Sequence, residues 1–138
     1  MNKHYSNTRG MSLIEILIVL ALIAVIATLV ITNVQGLFSG GQEDVARLWV
    51  NESIETPLAA YRIHVGTYPS TDEGLQALVT APEGKEDRWR GPYLKKMPVD
   101  PWKNPYQYRF PGEKNKTKYD VWSRGPDGID SDDDIGNW

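Results

Sequence analysis

A membrane-length apolar run from Ile16 to Ile31, broken by a single threonine, follows one carboxylate, Glu15. A helix that spans a bilayer needs about 20 predominantly apolar residues. A charge within such a helix costs roughly 2.5 to 3.5 kcal/mol on insertion scales, so Glu15 is expected to have a function. A short leader precedes the run; it carries Lys3 and Arg9 and ends at Gly10.

The order of Gly10, Met11, Glu15 and the apolar run resembles the cleavage and assembly signal of type IV pilins and type II secretion pseudopilins. A secretory signal peptide would instead be cut after the apolar region, beside small residues. The run ends in Ile-Thr-Asn-Val-Gln at residues 31–35, which does not look like such a site. An ordinary signal anchor leaves Glu15 unexplained. The resemblance implies cleavage between Gly10 and Met11 by a prepilin peptidase and N-methylation of Met11.

Length and composition limit what the rest of the chain can be. The chain has 138 residues, a formal net charge of −3 and no cysteine. Without residues 1–37, about 100 residues remain, enough for one small domain with a modest core. No disulfide can brace that domain, which favours a metal ion in the same role, unless the core suffices. No basic patch with interleaved aromatic residues occurs, so we expect no nucleic-acid partner.

The apolar periodicity predicts one long helix from Ser12 to about Val65. Its first half is apolar on every side, as a bilayer span or bundle core requires. Gly36, Gly40 and Gly41 interrupt the junction between the halves, and Pro57 lies in the second half; each is a plausible bend. The second half carries one apolar stripe at three- and four-residue spacing, with charges on its other faces. The stripe consists of Val50, Ile54, Leu58, Tyr61 and Val65.

The remainder of the chain predicts a short helix and a small sheet. Gly66 is a good left-handed cap for the long helix. Ser70 and Glu73 form the capping-box pattern of a second helix that runs to about Val79. Residues 83–105 are expected to form an extended loop. Alternating aromatic and apolar residues then predict two antiparallel strands packed on the helix stripe. Those residues are Tyr106, Tyr108 and Phe110, followed by Tyr119, Val121 and Ser123.

Four further stretches narrow the resemblance to the major, G-type pseudopilins of type II secretion. They read GTYPSTDEGLQAL at 66–78, WRGPYLKK at 89–96, DPWKNPYQY at 100–108 and DDIGNW at 133–138. The resemblance implies a type IV pilin-like α+β fold, in which a long N-terminal helix packs on a small antiparallel sheet. It also implies a structural, non-enzymatic subunit of a periplasmic pseudopilus that drives folded exoproteins across the outer membrane.

The same resemblance implies partners, location and domain limits. The partners are further copies of the chain, minor pseudopilins, the prepilin peptidase and an inner-membrane assembly platform. Before assembly the protein would span the inner membrane once, with its globular domain in the periplasm. Residues 1–10 would be the cleaved leader, 11–37 the apolar membrane and filament-core helix, and 38–138 the periplasmic domain.

The chain departs from the family pattern within the leader junction and the helix. Met11 stands where phenylalanine is usual, and Thr32 where the family often has proline. Trp49 and Pro57 are also unusual for the helix. These departures suggest a divergent branch and leave the shape of the helix open.

Two features carry candidate chemistry. The resemblance implies that Glu15 pairs with the free amine of Met11 on a neighbouring subunit; the plainer alternative is a carboxylate that reaches the lipid headgroups. The tail holds five aspartates, whose oxygens suit Ca²⁺, although composition alone equally fits a solvated acidic end. These are Asp127, Asp130, Asp132, Asp133 and Asp134.

The tail is not an EF-hand, because Ile135 stands where the loop that starts at Asp130 needs glycine. The resemblance implies one calcium ion held by Asp127, Asp133, Asp134 and a backbone carbonyl near Arg124. Asp130 and Asp132 have no clear counterpart in the family.

No catalytic constellation is expected. His64 is the only histidine beyond the leader, and no nucleophile and base can be assembled around it. Four tryptophans are expected to anchor loops rather than line a sugar site: Trp89, Trp102, Trp122 and Trp138. Two alternatives to the pseudopilin remain. A type IV pilus subunit usually ends in a disulfide loop that this chain cannot form, and a membrane-tethered calcium-dependent binding module leaves Gly10 and Glu15 unexplained.

Overall fold

The structure is a computed structural model that describes residues 10–138, apart from the side chains of residues 32–37. The leader before Gly10 and the side chain of Thr32 therefore lie outside the described residues. The chain divides into two compact units, Met1–Ser39 and Gly40–Trp138.

Helix α1 covers Leu13–Leu48. Ser12 caps its start, because the backbone N–H of Glu15 donates to the Ser12 Oγ at 3.3 Å. The stretch Leu13–Ile31 is long and apolar enough to cross a membrane, by length and composition. The helix continues through Gly40 and Gly41, the positions of two of the predicted bends. A glycine weakens a helix by about 1 kcal/mol but keeps its N–H donor, so it need not end one.

A π-helical turn, Trp49–Ser53, separates α1 from helix α2, Glu55–Val65. The backbone N–H of Ile54 donates to the carbonyl of Trp49, five residues back, at 3.1 Å. Pro57 falls in the first turn of α2, where a missing N–H donor costs little. Helix α2 is capped by Gly66, which adopts a φ of 100° and is the predicted left-handed cap. The predicted helix is therefore right in extent, but the departure from regular geometry comes before Pro57.

The predicted apolar stripe forms one side of the core. All five of its residues are at most 1% exposed, and Ala46 extends it by one turn. In a regular α-helix, three successive four-residue steps would drift by about 120° around the axis. The wider π-helical turn offsets part of that drift and keeps Ala46 and Leu58 on the same core.

The second helix predicted from Ser70 is wrong in type and start. The reciprocal capping bonds do form: Ser70 N–H donates to Glu73 Oε2 at 2.9 Å, and Glu73 N–H donates to Ser70 Oγ at 3.2 Å. They close only a turn, because Gly74 takes φ = 57° and ends it. A short 3₁₀ helix, Leu75–Leu78, follows and buries both of its leucines.

Three short antiparallel strands form the sheet, in the order β1-β2-β3. They are β1, Gln107–Arg109; β2, Asp120–Ser123; and β3, Ile135–Gly136. Tyr108 lies opposite Val121, and both side chains join the buried stripe in one hydrophobic core. The two predicted strands are confirmed, although both are shorter than the alternation suggested. Strand β3 lies in the tail and was not predicted.

Candidate functional site

The acidic loop, residues 125–134, joins β2 to β3 and contains all five aspartates of the tail. Gly125 and Gly128 adopt left-handed φ values of 67° and 70°, which bend the loop back on itself. The Asp127 Oδ1 accepts the backbone N–H of Ile129 at 3.1 Å and closes an Asx turn. The loop therefore has a defined shape that begins directly at the end of β2.

A buried carboxylate, Asp100, supports the base of this loop. It is 3% exposed, and its Oδ2 accepts the hydroxyl of Ser123 at 2.6 Å. The Ser123 Oγ in turn accepts the N–H of Gly125 at 3.0 Å. Asn104, whose N–H donates to Asp100 Oδ1 at 2.8 Å, also donates from Nδ2 to the Gly125 carbonyl at 3.3 Å. Sequence reasoning missed this support, because it joins residues that lie about 20 positions apart.

The predicted calcium ligands converge on Ser131, which the sequence did not single out. The Ser131 Oγ lies 3.1 Å from Asp127 Oδ2 and makes a very short contact with Asp133 Oδ1. The backbone N–H of Ser131 donates to Asp134 Oδ1 at 3.3 Å. The Ser131 Oγ also lies 3.4 Å from the carbonyl oxygen of Ile129. A hydroxyl has one hydrogen to donate, and a carbonyl or an ionised carboxylate has none, so two of these three contacts lack a proton. Acceptor oxygens thus outnumber donors here.

The surroundings of Asp134 disfavour its negative charge. Burial raises the pKa of the Asp134 carboxyl, and the carboxylates of Asp130, Asp133 and Asp127 raise it further against the Ser131 N–H. Crowded carboxylates of this kind are stabilised by a positive charge between them. The oxygen-only ligand set suits Ca²⁺ better than a transition metal.

The fit to calcium is partial in this conformation. Within residues 10–138, no three acidic or histidine side chains are already arranged around one point as metal ligands. The carboxylates of Asp127 and Asp133 both contact the Ser131 hydroxyl. The carboxylate of Asp134 instead accepts the backbone N–H of Ser131. Two of the three predicted ligands are thus brought together directly, and the third lies beside them.

Arg124, which directly follows β2, forms an ion pair with Asp130 in the middle of the acidic loop. Arg124 Nε lies 2.9 Å from Asp130 Oδ1, and Nη2 lies 3.0 Å from Oδ2. The indole Nε1 of Trp122 also donates to Asp130 Oδ1, at 3.1 Å. These donors, first the guanidinium and then the indole, hold the pKa of the Asp130 carboxyl below its usual range. Arg124 was predicted to offer its backbone carbonyl to the ion; its side chain has this separate role.

The tryptophans divide into two groups. Trp89 and Trp102 pack against the core, and the Trp89 Nε1 donates to the carbonyl of Ala77 at 2.8 Å, as expected for loop anchors. Trp122 and Trp138 have ring centroids 6.1 Å apart and line an open cleft of about 350 Å³. Trp138 lies over Gly136, where a Cβ would come within 2.5 Å of its ring.

At the other end of the chain, Glu15 lies exposed in the first turn of α1. Among the side chains that the structure describes, none forms an ion pair with its carboxylate. Met11 is also exposed, and a Cβ at Gly10 would meet nothing within 4 Å. The three residues of the predicted processing and assembly signal are thus all accessible. His64 is exposed on α2 and forms a 2.9 Å hydrogen bond with the hydroxyl of Tyr93.

Two family models match the chain. Residues 33–138 match the model of type II secretion system protein G, and residues 5–31 match the prokaryotic N-terminal methylation motif. Two proteins named type II secretion system core protein G are similar over 94% of this chain and 94% of their own length. The one from Klebsiella pneumoniae is 38% identical over 137 residues, and the one from Pseudomonas aeruginosa PAO1 is 41% identical over 136.

A solved structure is similar as well. It is the crystal structure of the major pseudopilin from the type 2 secretion system of enterohaemorrhagic Escherichia coli, 33% identical in sequence. The match has a TM-score of 0.66 and covers 75% of this chain and 87% of that chain.

Proposed function

Because the chain belongs to the type II secretion system protein G family, we propose that it is the major structural subunit of a secretion pseudopilus. The family assignment confirms the expected relationship, and the solved relative confirms the α+β pilin-like fold. The single observation that carries the proposal is the family match over residues 33–138, which includes the whole globular domain. In this role the protein polymerises with its own copies and drives folded exoproteins across the outer membrane.

The two rival functions explain less. A type IV pilus subunit would share the N-terminal motif, but the match to protein G extends over the whole globular domain. A membrane-tethered calcium-dependent module would explain the acidic loop and leave the methylation motif at residues 5–31 without a role. The proposed role is structural and requires no catalytic step.

The proposal includes processing and location. A prepilin peptidase cuts between Gly10 and Met11, and the new amino group of Met11 is N-methylated. The matched methylation motif and the exposed, accessible junction support this step. The apolar segment Leu13–Ile31 is retained and spans the inner membrane once before assembly, with the globular domain in the periplasm. An inner-membrane assembly platform and minor pseudopilins are the further partners.

Glu15 is proposed as the contact that sets subunit register during assembly. A carboxylate in the first turn of an apolar helix and a free amine at its start each need an opposite charge. Both Glu15 and Met11 are exposed, so each can reach a group on another copy. A helix N-terminus also favours a negatively charged side chain in its first turn, where Glu15 lies.

One calcium ion is proposed at the acidic loop, held by Asp127, Asp133, Asp134 and the backbone carbonyl of Arg124. The surplus of acceptor oxygens around Ser131 and the raised pKa of Asp134 support it. The ion would supply the positive charge that the carboxylates lack. The chain itself holds the loop in place through Asp100 and Ser123 and joins it to β2 and β3.

Deletion of the gene tests the proposed function. We expect the deletion strain to retain its exoproteins in the periplasm and to lose filaments recognised by an antibody against the chain. Expression of the full chain from a plasmid should restore both. Secretion assays and immunoelectron microscopy measure these outcomes, with a twitching-motility assay beside them. Loss of twitching with normal secretion would instead identify a pilus subunit.

A further inference from the structure

We infer that Arg124 and Asp130 are a positioning pair that holds the acidic loop in its folded arrangement before calcium binds. The inference rests on the proposed calcium site, but neither residue's side chain is one of its proposed ligands. It concerns how the chain keeps the ligands in place.

The location of the pair supports this role. Arg124 directly follows the last residue of β2, whereas Asp130 lies in the middle of the loop, between Asp127 and Asp133. The pair therefore ties the midpoint of the loop to the end of a strand. Trp122, which is part of β2, adds its indole N–H to the same carboxylate. The Asp130 carboxylate is thus held by three hydrogen bonds, one of which comes from a residue of the sheet itself.

The bidentate geometry of the pair distinguishes it from most surface ion pairs. The side chains are 33% and 59% exposed, and most exposed ion pairs contribute little. Here the guanidinium makes two parallel bonds to the two carboxylate oxygens, which fixes orientation as well as distance. Because both oxygens of Asp130 are occupied, this carboxylate is withheld from the ion, while Asp127 and Asp133 on either side of it turn toward Ser131.

A positioning role and a purely electrostatic role of Arg124 predict opposite effects on calcium affinity. As a point charge, a guanidinium close to the carboxylates repels a cation, so its removal would tighten calcium binding. As a positioning group it prevents the loop from populating open conformations, so its removal weakens binding by the fraction of molecules that open. An exposed bidentate pair is expected to change the calcium Kd by roughly two- to fivefold.

Calorimetric titration of the full-length chain in detergent with CaCl₂ distinguishes these possibilities. We expect R124Q to raise the Kd by two- to fivefold. R124K should act in the same direction, because an ammonium keeps the charge but cannot make two parallel bonds. The matched control is R90Q, which removes one exposed arginine from the 83–105 loop and should leave the Kd unchanged. Tighter binding by R124Q, or an unchanged Kd for R124K, would overturn the inference.

A second measurement separates the pair from the calcium site. Hydrogen–deuterium exchange in calcium-free buffer should be at least twofold faster at residues 127–134 in R124Q and in D130N, and no faster in the double variant than in D130N alone. If the wild-type chain binds no calcium, the proposed calcium site is wrong. The positioning role of the Arg124–Asp130 pair is then tested by hydrogen–deuterium exchange alone. Unchanged exchange in R124Q would then overturn the positioning role.

Discussion

The hydroxyl of Ser123 donates a 2.6 Å hydrogen bond to the carboxylate of Asp100, and both side chains are buried. Asp100 belongs to the segment before β1, and Ser123 is the last residue of β2. The bond therefore connects the loop that precedes the sheet to the point where the acidic loop begins. A charged acceptor in such a place contributes more than a neutral one.

Asp100→Ala should destabilise the globular domain by about 3 kcal/mol, because it leaves one buried and two part-buried donors without an acceptor. These donors are the N–H groups of Trp102 and Asn104 and the Ser123 hydroxyl. Urea unfolding of the full-length chain in detergent, followed by near-ultraviolet circular dichroism, measures the change. Asp72→Ala, which removes an exposed carboxylate, is the control and should stay within about 0.5 kcal/mol. Equal midpoints for the two variants would contradict this role of Asp100.

Processing should remove residues 1–10 and add one methyl group to the amine of Met11. A scissile bond after glycine lets the peptidase approach the backbone closely, which a side chain would obstruct. Intact-mass spectrometry of the protein from its native host checks both changes, and Gly10→Val provides the uncut reference. A wild-type mass that still includes the leader, or a cut after the apolar run, would defeat the proposed processing.

Glu15→Leu should insert into the membrane at least as well as the wild type and yet fail to assemble. The substitution removes a carboxylate that is costly in lipid and useful beside a partner's amine. Filament counts by electron microscopy measure assembly, and immunoblotting shows that processing is intact. Ile14→Leu, a conservative change at the neighbouring residue, should assemble normally. A normal filament yield from Glu15→Leu would mean that Glu15 does not set the register.

Calcium should raise the melting temperature of the full-length chain in detergent, and a chelator should lower it. At a hundredfold excess over Kd, the ion adds about 2.7 kcal/mol to the free energy of unfolding. For a domain of this size that corresponds to a shift of roughly 10 °C or more. Magnesium should substitute poorly, since it demands octahedral geometry and gives up water reluctantly.

The matched variants for this melt are Asp134→Ala and Asp87→Ala. Asp134→Ala removes a proposed ligand and should abolish the rise in melting temperature with calcium. Asp87→Ala removes an exposed carboxylate outside the acidic loop and should retain that rise. An Asp134→Ala variant that melts like the wild type with and without calcium would make the tail a solvated acidic end.

The long helix was predictable because its signal is periodic and local. Val50, Leu58 and Val65 repeat at helical spacing, and all three are buried as that spacing predicted. The left-handed cap at Gly66 followed from the same reasoning, since glycine adopts positive φ without steric cost. The π-helical turn before Pro57 was not predictable, because a single widened turn leaves the apolar spacing almost unchanged.

Elements that depend on a single backbone angle or on distant partners could not be read from the sequence. The capping pattern of Ser70 and Glu73 suggested a helix, but the φ of Gly74 decided otherwise. Strand β3 has two residues and is defined by its pairing with β2, so no alternation could reveal it. Ser131 became part of the candidate site only through the folding of the loop around it.

Strand β3 closes the acidic loop at its second end. Ile135 pairs with Ser123, and the side chain of Asn137 bonds to the backbone of Tyr119 and Val121. Asp133 and Asp134 immediately precede β3, so they are tethered to the same strand from which the loop departs. The loop is thus a closed ring, and its two ends cannot separate unless the pairing of β2 with β3 breaks.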